Sequence, residues 1–152
     1  MRDKQREETR RRVYLAALEV FRRDGVAHCR IDDIAVRAEV SRGAFYFHFP
    51  SKDDVLIELL RESEHPVVEA LAELPADAPL AKVLETLCAT LAKFWEDDRS
   101  LLPDVATVAL RINAVVNDRD AEPVRAALAT RFTLAAKRGE LSSILPPEVL
   151  SD

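Results

Sequence analysis

The chain has 152 residues, 48% hydrophobic and 32% charged, with a formal net charge of −5. That balance belongs to a soluble globular protein with a real core and excludes disordered and collagen-like classes. Its longest apolar runs fall well short of the roughly 20 residues that span a bilayer, and the start, MRDKQREETRRR, lacks the apolar stretch of a secretory signal, so no membrane partner and a cytoplasmic location are expected.

Three glycines among abundant Ala, Leu, Glu and Arg predict an all-α fold with no sheet. Charge is uneven along the chain: residues 1–52 hold 12 Lys and Arg against 8 Asp and Glu, and residues 53–152 hold 10 against 19. A basic head on an acidic body suits a phosphate-facing module joined to a part that does not meet nucleic acid. Cys29 and Cys88 fall on different predicted elements of a chain without an export signal, and are expected as free thiols. No metal is expected: His28 and Cys29 are adjacent, and His48 and His65 have no partner at ligand spacing. No cofactor is expected either.

Arg2 to Arg12 is a charge run of alternating sign, read either as a solvated helix start or as an arm that contacts phosphates. The first helix is predicted over about Glu7 to Asp24, with Val13, Ala16, Ala17, Val20 and Phe21 as its apolar stripe and Gly25 as its left-handed end. Ile31 to Lys52 then reads as a helix-turn-helix. Ile31, Ile34, Ala35 and Ala38 share one face, and the turn falls at Glu39-Val40-Ser41. Ser41 is placed to cap the next helix, whose first turn is Arg42, Gly43 and Ala44. Phe45 and Phe49, four apart, point to the core, while Tyr46 and His48 project elsewhere with polar tips. A polar, aromatic-rich helix of this kind fits the major groove of DNA.

Ser51 caps a fourth helix that opens at Lys52 with Asp53 and Asp54 in its first turn, and Pro66 predicts a kink or restart near His65. The loop 75–79 precedes a fifth helix with Leu80, Val83, Leu84, Leu87, Leu91, Phe94 and Trp95 at helical spacing. A sixth helix, entered through Asp97, Asp98 and Ser100, carries Val105, Val108, Ala109, Ile112 and Val116. Asp120 is placed to cap a seventh, with Val124, Ala127, Leu128, Phe132 and Ala135 as its stripe and Gly139 at its close; Pro146-Pro147 reads as the start of another helix. The acidic pairs Asp32-Asp33, Asp53-Asp54 and Asp97-Asp98 sit at predicted helix ends, where capping explains them. No glycine-rich phosphate loop and no G-x-S-x-G is present, so no enzyme is expected.

Ile34-Ala35, Val40-Ser41-Arg42-Gly43, Tyr46-Phe47-His48-Phe49 and Ser51-Lys52, together with Ala16-Ala17, Phe21, Gly25 and Asp53-Asp54-Val55-Leu56, resemble the tetracycline-repressor (TetR) family. The resemblance implies a helix-turn-helix DNA-binding domain over residues 1–50 and a helical ligand-binding and dimerisation domain over 51–152. It implies base-reading positions for Arg42, Gly43 and Ala44, phosphate-contacting positions for Tyr46, His48 and Lys52, and the cap for Ser41. Two departures stand out. Arg30 replaces the usual Thr or Ser before the second helix, where its guanidinium can still meet a phosphate, and Glu39 replaces the usual turn glycine at a cost of roughly 1 kcal/mol.

By the same resemblance, His65, Cys88, Trp95, Thr107, Arg111, Asn113 and Phe132 are candidates to line a ligand cavity, although aromatics at this spacing more often make core and a charged residue such as Arg111 is more often solvated. The family usually continues with two further helices that make a homodimer, and the second domain here reads as incomplete at its C-terminal end. The implied activity is that of a ligand-responsive transcriptional regulator, a repressor released from its operator by a small molecule and working as a homodimer if those helices are present or replaced. The alternative is a truncated or DNA-incompetent relative that acts as an interaction or ligand-sequestering protein.

Overall fold

The computed structural model describes residues 2–115 and 123–141. Within them lie α1 (Arg2–Asp24), α2 (Ile31–Arg37), α3 (Arg42–His48), α4 (Lys52–Glu73), α5 (Leu80–Phe94), α6 (Leu102–Val115) and α7 (Pro123–Lys137), with a short 3-10 turn over Arg99–Leu101 ahead of α6. The expected all-α fold is borne out: no strand occurs among the described residues. The expected Asp120 cap, the side chains of Ile112, Asn113 and Val116, and the start at Pro146 lie outside the described residues. No described helix is long and apolar enough to cross a membrane.

Two compact units form. One gathers residues up to Arg61 and those from Asp97 to the end of α6; the other gathers 62–96 and the α7 region. In the first, α1 buries Val13, Tyr14, Ala17 and Phe21, α2 buries Ile34 and Ala35, α3 buries Phe45, and Val55, Leu56 and Leu59 of α4 complete the core. The expected stripe of α1 is buried throughout, with Tyr14 and Leu18 buried beside it, and of the expected α2 face Ile34, Ala35 and Ala38 are buried while Ile31 is half-buried.

Helix α1 begins five residues before the expected Glu7, at Arg2. Arg, Lys, Glu and Gln are good helix formers, and opposite charges three or four apart support a helix that buries nothing. Further along, Arg10 donates to both Glu58 oxygens, at 2.7 and 2.9 Å, and its guanidinium lies 4.6 Å from the Phe49 ring centre, so α1, α4 and the residue that ends α3 meet at one side chain. The hydrogen bond from Arg10 holds the Glu58 carboxyl below its ordinary value, with burial opposing it. A carboxylate lowered in the folded state contributes stability that is whole above its unfolded value and is lost as pH falls through the lowered folded one. Thermal melts across the acid range are therefore expected to converge for wild type and Glu58→Gln at low pH and to separate, wild type higher, toward neutrality.

Pro66 neither ends nor restarts α4, which continues to Glu73. One missing backbone donor is tolerated where the turns on both sides stay bonded and Val67 and Leu71 beyond it are buried. In the second unit those two residues pack with Ala78, Leu80, Val83 and Ala135. Arg131 of α7 reaches the C-terminal end of α4, where Nη2 donates to Leu71 O and Leu74 O at 2.9 Å each and Nη1 donates to Pro75 O. Leu71 O belongs to the last turn of α4 and Leu74 O and Pro75 O follow it; Leu71 O and Pro75 O also accept from Leu74 N–H at 3.3 Å and Ala78 N–H at 3.0 Å. Glu140 Oε2 accepts from Leu80 N at 2.6 Å and so caps α5, whose preceding residue, Pro79, has no side chain to do it. Phe132, expected on the buried stripe of α7, is 37% exposed, and its place toward the chain is taken by Arg131. The bonding of Arg131 to three carbonyls fixes the rotation of α7 and turns the adjacent ring outward.

Candidate nucleic-acid interface

Helix α2 ends as α7 does, in a left-handed residue flanked by two reversed hydrogen bonds. Glu39 N–H donates to Val36 O at 3.1 Å and Val40 N–H to Ala35 O at 2.9 Å, the same pattern that Gly139 and Glu140 make with Ala136 and Ala135. Glu39 has φ 53° where Gly139 has φ 74°. The two bonds satisfy orphan carbonyls of the last turn, and they hold a side chain in a region that glycine enters more easily. The turn thus keeps the geometry of its glycine counterpart with glutamate in it.

Ser41 then caps α3. Its backbone is extended, and its Oγ accepts from Ala44 N at 3.0 Å. With that end fixed, Phe45 and Phe49 turn inward, 0% and 1% exposed, while Tyr46 is 42% and Phe47 65% exposed. Arg42 and Gly43 are exposed as well. A Cβ on Gly43 would meet only Ser41 Oγ, at 3.8 Å, and Gly43 has no left-handed backbone, so nothing inside the protein demands glycine there. Its small size leaves the surface of α3 open at that point.

The remaining predicted residues are distributed as follows. Arg42 donates through Nη1 to both oxygens of Asp32, at 3.2 and 3.1 Å, and its Nη2 lies 3.4 Å from the Tyr46 hydroxyl. Arg30, at the start of α2, is exposed and 3.7 Å from the same carboxylate, and makes no side-chain cap. His48 is half-buried; burial first, then the charges of Arg6 and Arg10, push its imidazole below the ordinary value. Lys52 turns toward the chain, donating through Nζ to Val26 O and, at 3.3 Å, to Cys29 O, which ties the α1–α2 loop to α4. Arg6, which the sequence marks only as a member of the charge run, stands 5.0 Å from the exposed Phe47 ring and brings α1 to the C-terminal side of α3. The repeating charges of that run carry no sign of which arginine meets the ring.

The candidate ligand residues divide between the two units, Thr107 and Arg111 in the first and His65, Cys88, Trp95 and Phe132 in the second. His65 is exposed beside Glu69 at 3.3 Å, and Cys88 is exposed. Trp95 is buried against Phe94, Thr107 donates to Pro103 O at 2.7 Å, and Arg111 pairs with Asp53 at 3.1 Å. Between α4 and α5 the second unit instead holds a cleft of about 500 Å³ lined by Pro66, Ala89, Thr90, Lys93 and Phe94. No three His, Cys, Asp or Glu side chains group as metal ligands among the described residues, and both cysteines are free.

Residues 14–59 match the family described as bacterial regulatory proteins, tetR family. Over 151 residues the chain is 30% identical to the HTH-type transcriptional repressor BepR of Brucella suis biovar 1, a match that covers 90% of this chain and 70% of BepR. The chain belongs to the TetR family. Within that family its helix-turn-helix end is also 49% identical over 61 residues to the HTH-type transcriptional regulator SrpR of Pseudomonas putida, covering 40% of this chain and 29% of SrpR, so the match spans less than a third of that relative. The fold has a solved counterpart in the multidrug binding protein EbrR complexed with imidazole, at TM-score 0.50 and 24% identity, covering 95% of this chain and 82% of EbrR. TetR-family membership sets the chain among regulatory proteins and not among enzymes, as its lack of catalytic motifs led one to expect.

Proposed function

We propose that this TetR-family chain is a cytoplasmic, ligand-responsive transcriptional regulator that binds operator DNA through α3 and is released from it by a small molecule. The observation that carries the DNA-binding part is the outward face of α3, where Arg42, Gly43 and Tyr46 lie exposed on a helix capped by Ser41. Arg42 is the base reader, since a guanidinium matches the O6 and N7 acceptors of guanine. Tyr46, His48 and Arg30 are the phosphate-facing groups; Lys52 serves from its place beneath the loop. Residues 1–50 act as the DNA-binding domain and 51–152 as the ligand and dimerisation domain, with two copies reading successive major grooves.

The cleft between α4 and α5 supports the ligand part of this reading, because its apolar wall and single ammonium suit a drug-sized molecule. The retained turn at Glu39 favours DNA binding over the alternative of a DNA-incompetent relative.

Selection from a randomised duplex pool, followed by fluorescence anisotropy on the enriched duplex, tests the DNA reading. An affinity that falls linearly with log salt, by about 0.9 per phosphate neutralised, is expected. Arg42→Ala is expected to lose about 1–3 kcal/mol of discrimination at one base pair while the salt slope stays nearly unchanged. Failure to enrich any sequence, with no salt-sensitive binding, overturns the proposal.

A further inference from the structure

Asp32 stands in the first turn of α2, where a carboxylate ordinarily serves the helix end. Here it does something else as well. Both of its oxygens accept from Arg42 Nη1, and Oδ2 also lies 3.7 Å from Arg30 Nη2. Tyr46 holds Arg42 from the other side, with the guanidinium 5.7 Å from its ring centre and Nη2 3.4 Å from its hydroxyl. The arginine is therefore gripped between α2 and its own helix while it remains exposed.

We propose that Asp32 is a positioning residue that sets the base specificity of Arg42, orienting its guanidinium for guanine and withholding it from indiscriminate contact with phosphates. This rests on the DNA-binding reading given above. The physical reason is a competition. An arginine on a flexible stem finds a phosphate wherever the duplex offers one, because phosphate contacts carry no sequence information. Bidentate recognition of a guanine edge needs the planar fork held in one orientation, and a carboxylate that accepts from one terminal nitrogen leaves the outer N–H groups to the base at reduced loss of side-chain freedom. The same carboxylate sets a negative charge on a surface that faces phosphates and so weakens binding to any sequence.

The two effects predict opposite signs for one substitution. Asp32→Asn keeps shape and removes charge, so affinity for duplexes of arbitrary sequence should rise several-fold, the dependence of log affinity on log salt should steepen by about one phosphate's worth, and preference for the selected guanine should fall about tenfold. A merely structural carboxylate would lower every affinity together and leave the ratio alone.

The test is selection from a randomised duplex pool by the full chain carrying wild-type residues, Asp32→Asn, Arg42→Ala, or both changes, each checked for an unchanged far-ultraviolet spectrum. The expected result is a guanine position present for wild type, weakened by Asp32→Asn, lost in Arg42→Ala, and not lowered further in the double variant. A guanine position that survives Asp32→Asn at full strength overturns the role of Asp32 while the DNA-binding reading stands. That role is overturned just as surely if Asp32→Asn lowers the preference equally in the Arg42→Ala background. A wild-type chain that enriches nothing overturns both together.

Discussion

Phe45→Ala is expected to lower the unfolding free energy by about 3–5 kcal/mol, the usual range for removing a fully buried aromatic ring. Helix α3 has seven residues, far fewer than the roughly 12–15 at which an isolated helix becomes even marginal in water. It persists because it is fastened from within. Phe45 is its one buried residue, 0% exposed, with Phe49 just past its end 6.3 Å from it centre to centre and Tyr14 of α1 stacked on Phe49 at 6.3 Å. Urea unfolding followed by far-ultraviolet circular dichroism reads the loss, and Phe47→Ala is the control. That ring is 65% exposed and touches Arg6, so its removal should cost under about 1 kcal/mol. Similar midpoints for the two variants would mean that α3 is held by its cap and loops and not by its core face.

The contrast between two neighbouring phenylalanines also shows what a sequence conveys. Spacing of three and four told Phe45 and Phe49 from Tyr46, as it told Ile34 and Ala35 from Val36, because helical geometry alone decides which side chains face a common partner. Local chemistry was equally legible. Ser41 and Gly25 stand in the conformations that their positions required, whereas Glu39 keeps the left-handed turn where its side chain had suggested a remodelled one. What spacing cannot convey is the partner of a charged side chain. Arg131 with Leu71, Leu74 and Pro75, Asp32 with Arg42, and Arg10 with Glu58 join residues that are 10 to 60 apart in the chain, and no periodicity links them. The acidic pairs illustrate the loss. Asp54 does sit at the cap of its helix, with its N–H 3.3 Å from Ser51 Oγ, whereas Asp32 and Asp98 spend their carboxylates on distant arginines.

Three of the candidate ligand residues stand next in sequence to the residues that line the cleft. Pro66, Ala89 and Phe94 line the cleft, and the residues singled out from the sequence were His65, Cys88 and Trp95, each one position away. One residue along a helix is a rotation of about 100°, which carries a side chain from the cleft wall to solvent, as for Cys88, or into the core, as for Trp95. His65, Cys88 and Trp95 thus share the turns of the cleft residues but not their faces. The faces are set by Val67, Leu71, Leu80 and Val83, whose burial leaves the small and flexible residues to line the opening.

Arg22→Met is expected to cost about 3 kcal/mol. Asp98 is 6% exposed and accepts from Arg22 Nε at 2.6 Å and Nη2 at 2.8 Å, a two-point pair between residues 76 positions apart. Removing one partner of a buried pair leaves an uncompensated charge and typically costs 3–5 kcal/mol; the 41% exposure of the Arg22 side chain puts this case at the lower end. Asp98→Asn in the Arg22→Met background should recover part of the loss, and a double-mutant cycle by urea unfolding should give a coupling of about 1–3 kcal/mol. Arg23→Met is the control, since its pair with Asp24 is at the surface and should show no measurable change. The functional weight of the pair lies in where it stands. Asp98 opens the turn ahead of α6, and that segment belongs to the same compact unit as α1, α2 and α3. Leu101, Val105 and Val108 are buried with it. If Arg22→Met weakens DNA binding more than its loss of folded population explains, the Arg22–Asp98 pair holds α1 in the arrangement that α3 needs to meet DNA. If binding falls only in step with stability, the pair serves the fold alone.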